Sequence, residues 1–224
     1  MSQARIVDTS VPSDPKGLVL VLHGGAARHG AMQVSPAQLS VLRMVPIAAR
    51  IAHLAPDELV VQRLLNSRRG WDAHHTPVAD VHWAMGQAAE RFGRGLPTCL
   101  VGHSLGGRAA LLAATDPAVR CAVALAPWVY PDEGRIDLAG KQVLIVHGDA
   151  DRIASPANSA AVARDLARTT QVAYVTVDGG RHAMLRHHAT FDGLAADFAV
   201  ATLLGRAASP LVERALAGEQ WLDA

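Results

Sequence analysis

The sequence predicts an α/β fold in which helices cover both faces of a doubly wound, mostly parallel sheet. Three observations carry that expectation. Short apolar runs recur at Gly17–Leu22, Leu59–Leu65, Thr98–Val101, Cys121–Leu125, Val143–Val146 and Val172–Val177. Several are Val- and Leu-rich without polar alternation, as expected of parallel strands buried on both sides. Longer amphipathic stretches lie between or after them, at Asp80–Phe92, Leu105–Ala114, Pro156–Ala167 and Phe191–Leu204. Finally, four of the runs are followed by Gly-rich polar segments, which in such sheets gather beyond the C-terminal strand ends where ligands bind.

In chain order, Arg5–Thr9 adds an antiparallel edge strand. The stretch from Ser35 to Leu54 reads as helix, with Pro46 either kinking one helix or opening a shorter one. Asp80 and Ser155 are expected N-caps, the latter followed by Pro156 at the first helical position. No internal repeat, low-complexity tract or Gly/Ser linker divides the chain. One domain over residues 1–224 is the expectation, a usual length for an α/β domain.

Composition excludes several partner classes. Half the 224 residues are hydrophobic and 18% are charged, enough for a substantial core. Lys plus Arg (21) nearly cancels Asp plus Glu (20), and the densest basic cluster is Arg68-Arg69. Neither nucleic acid nor a membrane surface is therefore expected as a partner. Met1 to Gly17 lacks the apolar core of a secretory signal, and the apolar runs are far shorter than the ~20 residues of a membrane span. Cys99 and Cys121 sit inside apolar runs and read as two small buried hydrophobes, so a cytoplasmic location is expected.

Chemistry concentrates first at Gly102-His103-Ser104-Leu105-Gly106. A bare G-x-S-x-G is only suggestive, but here it joins a strand to a helix. That context suits a nucleophilic serine on a strained turn whose crowded neighbours lack side chains. His23-Gly24-Gly25, His147-Gly148-Asp149-Ala150-Asp151 and Gly179-Gly180-Arg181-His182 follow other strands. In their order and spacing these segments resemble the α/β-hydrolase superfamily, over Gly17 to Leu204. Arg69-Gly70-Trp71, Ala126-Pro127-Trp128 and His182-Ala183-Met184-Leu185 look like small capless hydrolases of the dienelactone-hydrolase-like and actinobacterial type.

The resemblance implies an α/β-hydrolase fold without a cap domain, since the stretch from Trp128 to Lys141 is too short for one. It implies the chain order serine, acid, histidine. Ser104 is then the nucleophile and His182, behind two glycines after the last apolar run, its base. Asp151 is the expected acid; Asp149, nearer the strand end, is the competitor and would otherwise bind loop backbone. Asp178 is too close to His182 and belongs to the turn. The resemblance also implies an oxyanion hole from the N–H groups of Leu105 and Gly25, with Ala26 as runner-up. Trp71, Trp128, Met184 and Leu185 lie in rim loops and could line an apolar site, although packing suits both tryptophans equally well.

The remaining histidines read more plainly. His23 braces its loop, His147 is a structural residue at a strand end, and His187 and His188 are solvated. His74-His75 and His187-His188 lack Cys, Asp or Glu at ligand spacing, so neither metal nor cofactor is expected.

The implied activity is hydrolysis of a carboxylic ester or lactone of a small substrate through an acyl-enzyme intermediate. The protein is expected to be a monomer or small homo-oligomer. Thioester hydrolysis would use the same groups, and a non-catalytic ligand-binding module on a hydrolase scaffold is the rival from another class.

Overall fold

The computed structural model describes residues 3–25 and 33–224. Eight strands form one sheet: β1 (Arg5–Ser10), β2 (Gly17–Leu22), β3 (Leu59–Leu65), β4 (Thr98–His103), β5 (Val119–Leu125), β6 (Gln142–Gly148), β7 (Gln171–Val177) and β8 (Trp221–Asp223). Their spatial order is β1-β3-β2-β4-β5-β6-β7-β8, and only β1 runs antiparallel, against β3. The helices are α1 (Leu39–Leu42), α2 (Met44–Leu54), α3 (Thr76–Phe92), α4 (Leu105–Ala113), α5 (Pro156–Leu166), α6 (His188–Leu204) and α7 (Pro210–Leu216).

The fully apolar strands still obey a period of two. In β2, Val19 and Val21 enter one core with Met44, Ile47 and Ile51 of α2 and Phe191 and Phe198 of α6. Leu20 and Leu22 enter the other, with Val81 of α3, Ala109 and Ala110 of α4 and Val162 of α5. Successive side chains must leave opposite faces of a strand, so a strand with helices on both sides needs apolar residues at every position. Cys99 and Cys121 are register partners on β4 and β5, buried as free thiols in the first of these cores. Burial, first, and the neighbouring Cys121 push the Cys99 thiol above its usual range.

Several boundaries differ from the sequence-based expectation. Asp80 does not cap α3; the helix begins four residues earlier, and Asp80 lies inside it, accepting the Ser67 N–H at 2.8 Å and its hydroxyl at 2.9 Å. Asp72 caps α3 instead, accepting the Thr76 N–H at 2.9 Å and the Thr76 hydroxyl, while His75 between them takes a left-handed φ of 51°. Ser155 does cap α5, accepting the Asn158 N–H at 3.3 Å. Pro46 falls in the first turn of α2, where its missing N–H has no helical partner to lose. Strand β8 completes the far edge of the sheet with helix α7 packed beside β7, two elements that the apolar pattern does not mark.

Residues 126–141, between β5 and β6, hold one short 3₁₀ turn at Pro131–Gly134 and no inserted helical domain. Among the described residues, no helix is long and apolar enough to cross a membrane.

Candidate active site

The C-terminal ends of β2, β4, β6 and β7 deliver Gly24-Gly25, Ser104, Asp151 and His182 to one rim. The turn between β4 and α4 is the tightest part. Ser104 takes φ 56° and ψ −120°, a left-handed conformation costly for a residue with a Cβ. The turn fits because its neighbours are bare: a Cβ on Gly102 would strike the Gly106 carbonyl, and one on Gly106 would strike the Leu22 carbonyl. The strain is held by the Ser104 N–H, which donates to Leu125 O at 3.0 Å, and by the Trp128 N–H, which donates to Ser104 O at 3.1 Å.

Ser104 Oγ lies 2.9 Å from His182 Nε2, and His182 Nδ1 lies 2.8 Å from Asp151 Oδ2. The Asp151 side chain is wholly buried. Its Oδ1 accepts the N–H groups of Ile153 at 2.8 Å and Ala154 at 3.0 Å, and its Oδ2 also accepts His147 Nε2–H at 3.1 Å. Burial alone would raise this carboxyl's pKa. The two imidazoles and the backbone donors outweigh it and hold the group far below the usual carboxylate range.

A buried relay of hydroxyls stands behind the carboxylate. His147 Nδ1 is 2.7 Å from Ser159 Oγ, which is 3.2 Å from the Tyr174 hydroxyl. Because Nε2 of His147 donates to Asp151, its Nδ1 is the acceptor, so Ser159 donates to it. Burial raises the Tyr174 pKa, keeping that hydroxyl a donor. His147 is thus more than a strand-end filler. It shares one carboxylate oxygen with His182.

Asp149 stays away from the imidazoles and accepts the Gly179 N–H at 2.8 Å, linking the β6 turn to the turn after β7. Asp178 is exposed beside the chain end, its N–H donating to Ala224 O at 3.4 Å. His23 is buried and braces its loop: Asn66 N–H donates to Nε2 at 3.1 Å and Nδ1 is 2.6 Å from Gly24 O. Burial lowers its pKa.

His103 packs its ring at 4.9 Å from that of His182, and its Nε2 donates to the His182 carbonyl at 2.8 Å. Burial, first, and the neighbouring His182 pull its pKa down to about 3. It is a neutral prop under the loop that carries His182. Arg43 braces the same loop from the α1–α2 junction, donating Nε to Ala183 O at 3.2 Å while its Nη2 pairs with Asp192 at 2.6 Å. Reasoning from sequence alone singled out neither residue.

A cleft of about 380 Å³ opens over Ser104, lined by Gly24, Gly25, Leu105, Trp128, Ile153 and His182 among others. Leu105 is the first residue of α4, where backbone N–H groups have no helical acceptor, and Gly25 faces the same space. Ala26 lies outside the described residues. Of the expected pocket residues, Trp128 lines the cleft and Leu185 a neighbouring cavity. Met184 does not: it is buried in the core shared with α6, its backbone turned left-handed at φ 59°. Trp71 lies outside the cleft lining too. Its ring stacks 4.0 Å from the Arg108 guanidinium, which Glu133 holds through both carboxylate oxygens and Tyr130 flanks at 4.9 Å. An Arg on α4 thus claims the tryptophan that rim position alone would assign to substrate.

Fold and rim together define a class: the architecture is that of the α/β hydrolases. Residues 88–195, which include Ser104, Asp151 and His182, match the model of the alpha/beta hydrolase family. Est1E from Butyrivibrio proteoclasticus is similar over 91% of this chain and 94% of its own, with TM-score 0.63 and 17% identity. An alpha-beta serine hydrolase homologue from Coxiella burnetii is similar over 86% and 90%, with TM-score 0.64 and 18% identity. A serine hydrolase without lid from Xanthomonas campestris is similar over 92% and 98%, with TM-score 0.60 and 18% identity. No curated protein matches the chain in sequence.

Proposed function

We propose that this chain is a serine hydrolase that cleaves a carboxylic ester or lactone of a small substrate through an acyl-enzyme intermediate. The observation that carries the reading is the continuous line from Ser104 Oγ to His182 Nε2 at 2.9 Å and from His182 Nδ1 to Asp151 at 2.8 Å, ending on a strained serine in an open cleft. A serine hydroxyl is a weak nucleophile until a base takes its proton, and the carboxylate fixes the imidazole tautomer that leaves Nε2 free to do so.

In this reading Ser104 Oγ attacks the carbonyl carbon while its proton passes to His182 Nε2. The carbonyl oxygen gains the negative charge, and the N–H groups of Leu105 and Gly25 stabilise it. Collapse breaks the bond to the leaving oxygen, which takes the proton from His182 Nε2 and departs as an alcohol. Water then attacks the acyl group by the same path and frees Ser104. Asp151 stays ionised throughout. No cofactor enters any step.

Treatment with a fluorophosphonate should add one label, located at Ser104 by mass spectrometry and lost in Ser104→Ala. Ester hydrolysis should vanish with it. Labelling that persists in that variant, or an unlabelled and inactive wild-type protein, would overturn the reading.

A further inference from the structure

The second cavity beside the rim, about 660 Å³, is larger than the cleft over Ser104 and joins it through Ser40, His103 and His182. Its walls are Leu39, Leu42 and Pro46 on one side and Ala183 and Leu185 on the other. Leu39 is 83% exposed and Leu185 70%, an unfavourable placement for large apolar side chains unless something covers them. Among the described residues of the wall, the acid and the guanidinium, Asp192 and Arg43, are paired at 2.6 Å, with side chains 5% and 8% exposed. They cancel each other and are already bonded, and the remaining titratable group of that wall outside the rim, His188, has its Nδ1 3.1 Å from Leu185 O.

We propose that this cavity takes the alcohol portion of the substrate, an uncharged and bulky apolar leaving group, while the smaller cleft takes a compact acyl group. The inference rests on the acyl-enzyme reading above and follows from where the proton must go. The leaving oxygen receives its proton from His182 Nε2, so the leaving group departs on the imidazole side. The cavity is lined by His182 and His103 and by neither Gly25 nor Leu105, the N–H donors that would face the carbonyl oxygen. Both donors line the smaller cleft, with Trp128. Cavities of ~300–1,000 Å³ lined mainly by apolar residues suit small organic groups. The shared wall at His103 and His182 puts the scissile bond at the junction of the two spaces.

The test uses two ester series whose intrinsic reactivity changes little along the chain. With the acyl group fixed as acetate, kcat/KM should rise at least tenfold from methyl to hexyl acetate; full burial would give about 0.8 kcal/mol, or roughly fourfold, per methylene. With the alcohol fixed as methanol, kcat/KM should stay flat or fall from acetate to octanoate. The double variant Leu39→Ser, Leu185→Ser should reduce the hexyl-to-methyl acetate ratio severalfold, while Leu54→Ser, an exposed leucine elsewhere, should leave it unchanged. A preference found in the acyl series instead, or a ratio the double variant does not alter, would overturn the assignment. Fluorophosphonate labelling separates the two levels. A labelled Ser104 with a flat alcohol series removes this inference alone, whereas no labelling and no turnover of any ester removes the hydrolase reading beneath it.

Discussion

Replacing Asp151 with asparagine tests the site at its most constrained point. Four donors converge on the carboxylate: two backbone N–H groups at Oδ1, and the His182 and His147 imidazoles at Oδ2. An asparagine must turn its carbonyl oxygen to the backbone N–H groups, because the opposite orientation sets its NH₂ against two donors. The NH₂ then faces both imidazoles and forces them to accept. His182 then carries its proton on Nε2, pointing at Ser104 Oγ 2.9 Å away, and in the proposed reaction cannot accept the serine proton. The expected loss in kcat is on the order of 10³–10⁴, as in other triads with this substitution. Stability should suffer less. His147 can shift its proton to Nδ1 and accept the amide at Nε2, since the Ser159 hydroxyl has Pro156 O at 3.0 Å as an alternative acceptor. What remains is the loss of charge-assisted bonds, about 1–3 kcal/mol. Asp149→Asn keeps an acceptor for the Gly179 N–H and should stay within about threefold of wild-type kcat. Steady-state kinetics on an activated ester, with thermal melts of both variants, decide the matter. A folded Asp151→Asn protein within tenfold of wild type, or an inactive Asp149→Asn protein, would refute the reasoning.

Two further outcomes follow from the buried histidines. His147→Gln keeps a donor for Asp151 and should cost kcat less than tenfold. His147→Phe removes it and should cost more, with KM nearly unchanged; equal kcat in both variants would reduce His147 to packing. His103 stays neutral in the folded state down to about pH 3, whereas an unfolded histidine gains its proton near 6.5. The unfolded state therefore binds more protons between those values, and stability should fall as pH drops through that window, by at most ~1.4 kcal/mol per pH unit. Asp151 adds to the loss from about pH 5 downward, as unfolded carboxylates protonate around the ordinary aspartate value of ~3.9. In urea unfolding at pH 7, 6, 5 and 4, His103→Gln should flatten the decline. A slope equal to that of wild type would refute this contribution.

Much of this protein can be read from its sequence, for local reasons. Apolar runs such as Gly17–Leu22 are too short for a typical helix and match strands buried on both faces. Gly102 and Gly106 announce the turn because only bare residues fit within van der Waals distance of the facing backbone. Ser155 before Pro156 signals a helix start within a single turn of chain. Signals that reach further, or that are weaker, did not show. Strand β8 is only three residues long, too short for any periodicity. The start of α3 depends on Asp72 reaching over a left-handed His75, which no local pattern marks, whereas Asp80 carries the local features of a cap without being one. Arg43 meets Asp192 across 149 positions of sequence, and Trp71 packs on Arg108 because two helices and a loop bring them together. His147 joins His182 on one oxygen of Asp151 only because β6 and β7 are neighbours in the sheet. Periodicity, turns and caps are set within a few residues, so the sequence by itself determined seven of the eight strands, the helices packed between them and the order of the rim segments. Which imidazole, guanidinium or indole meets which partner depends on distances across the sheet, and only the tertiary structure decided those.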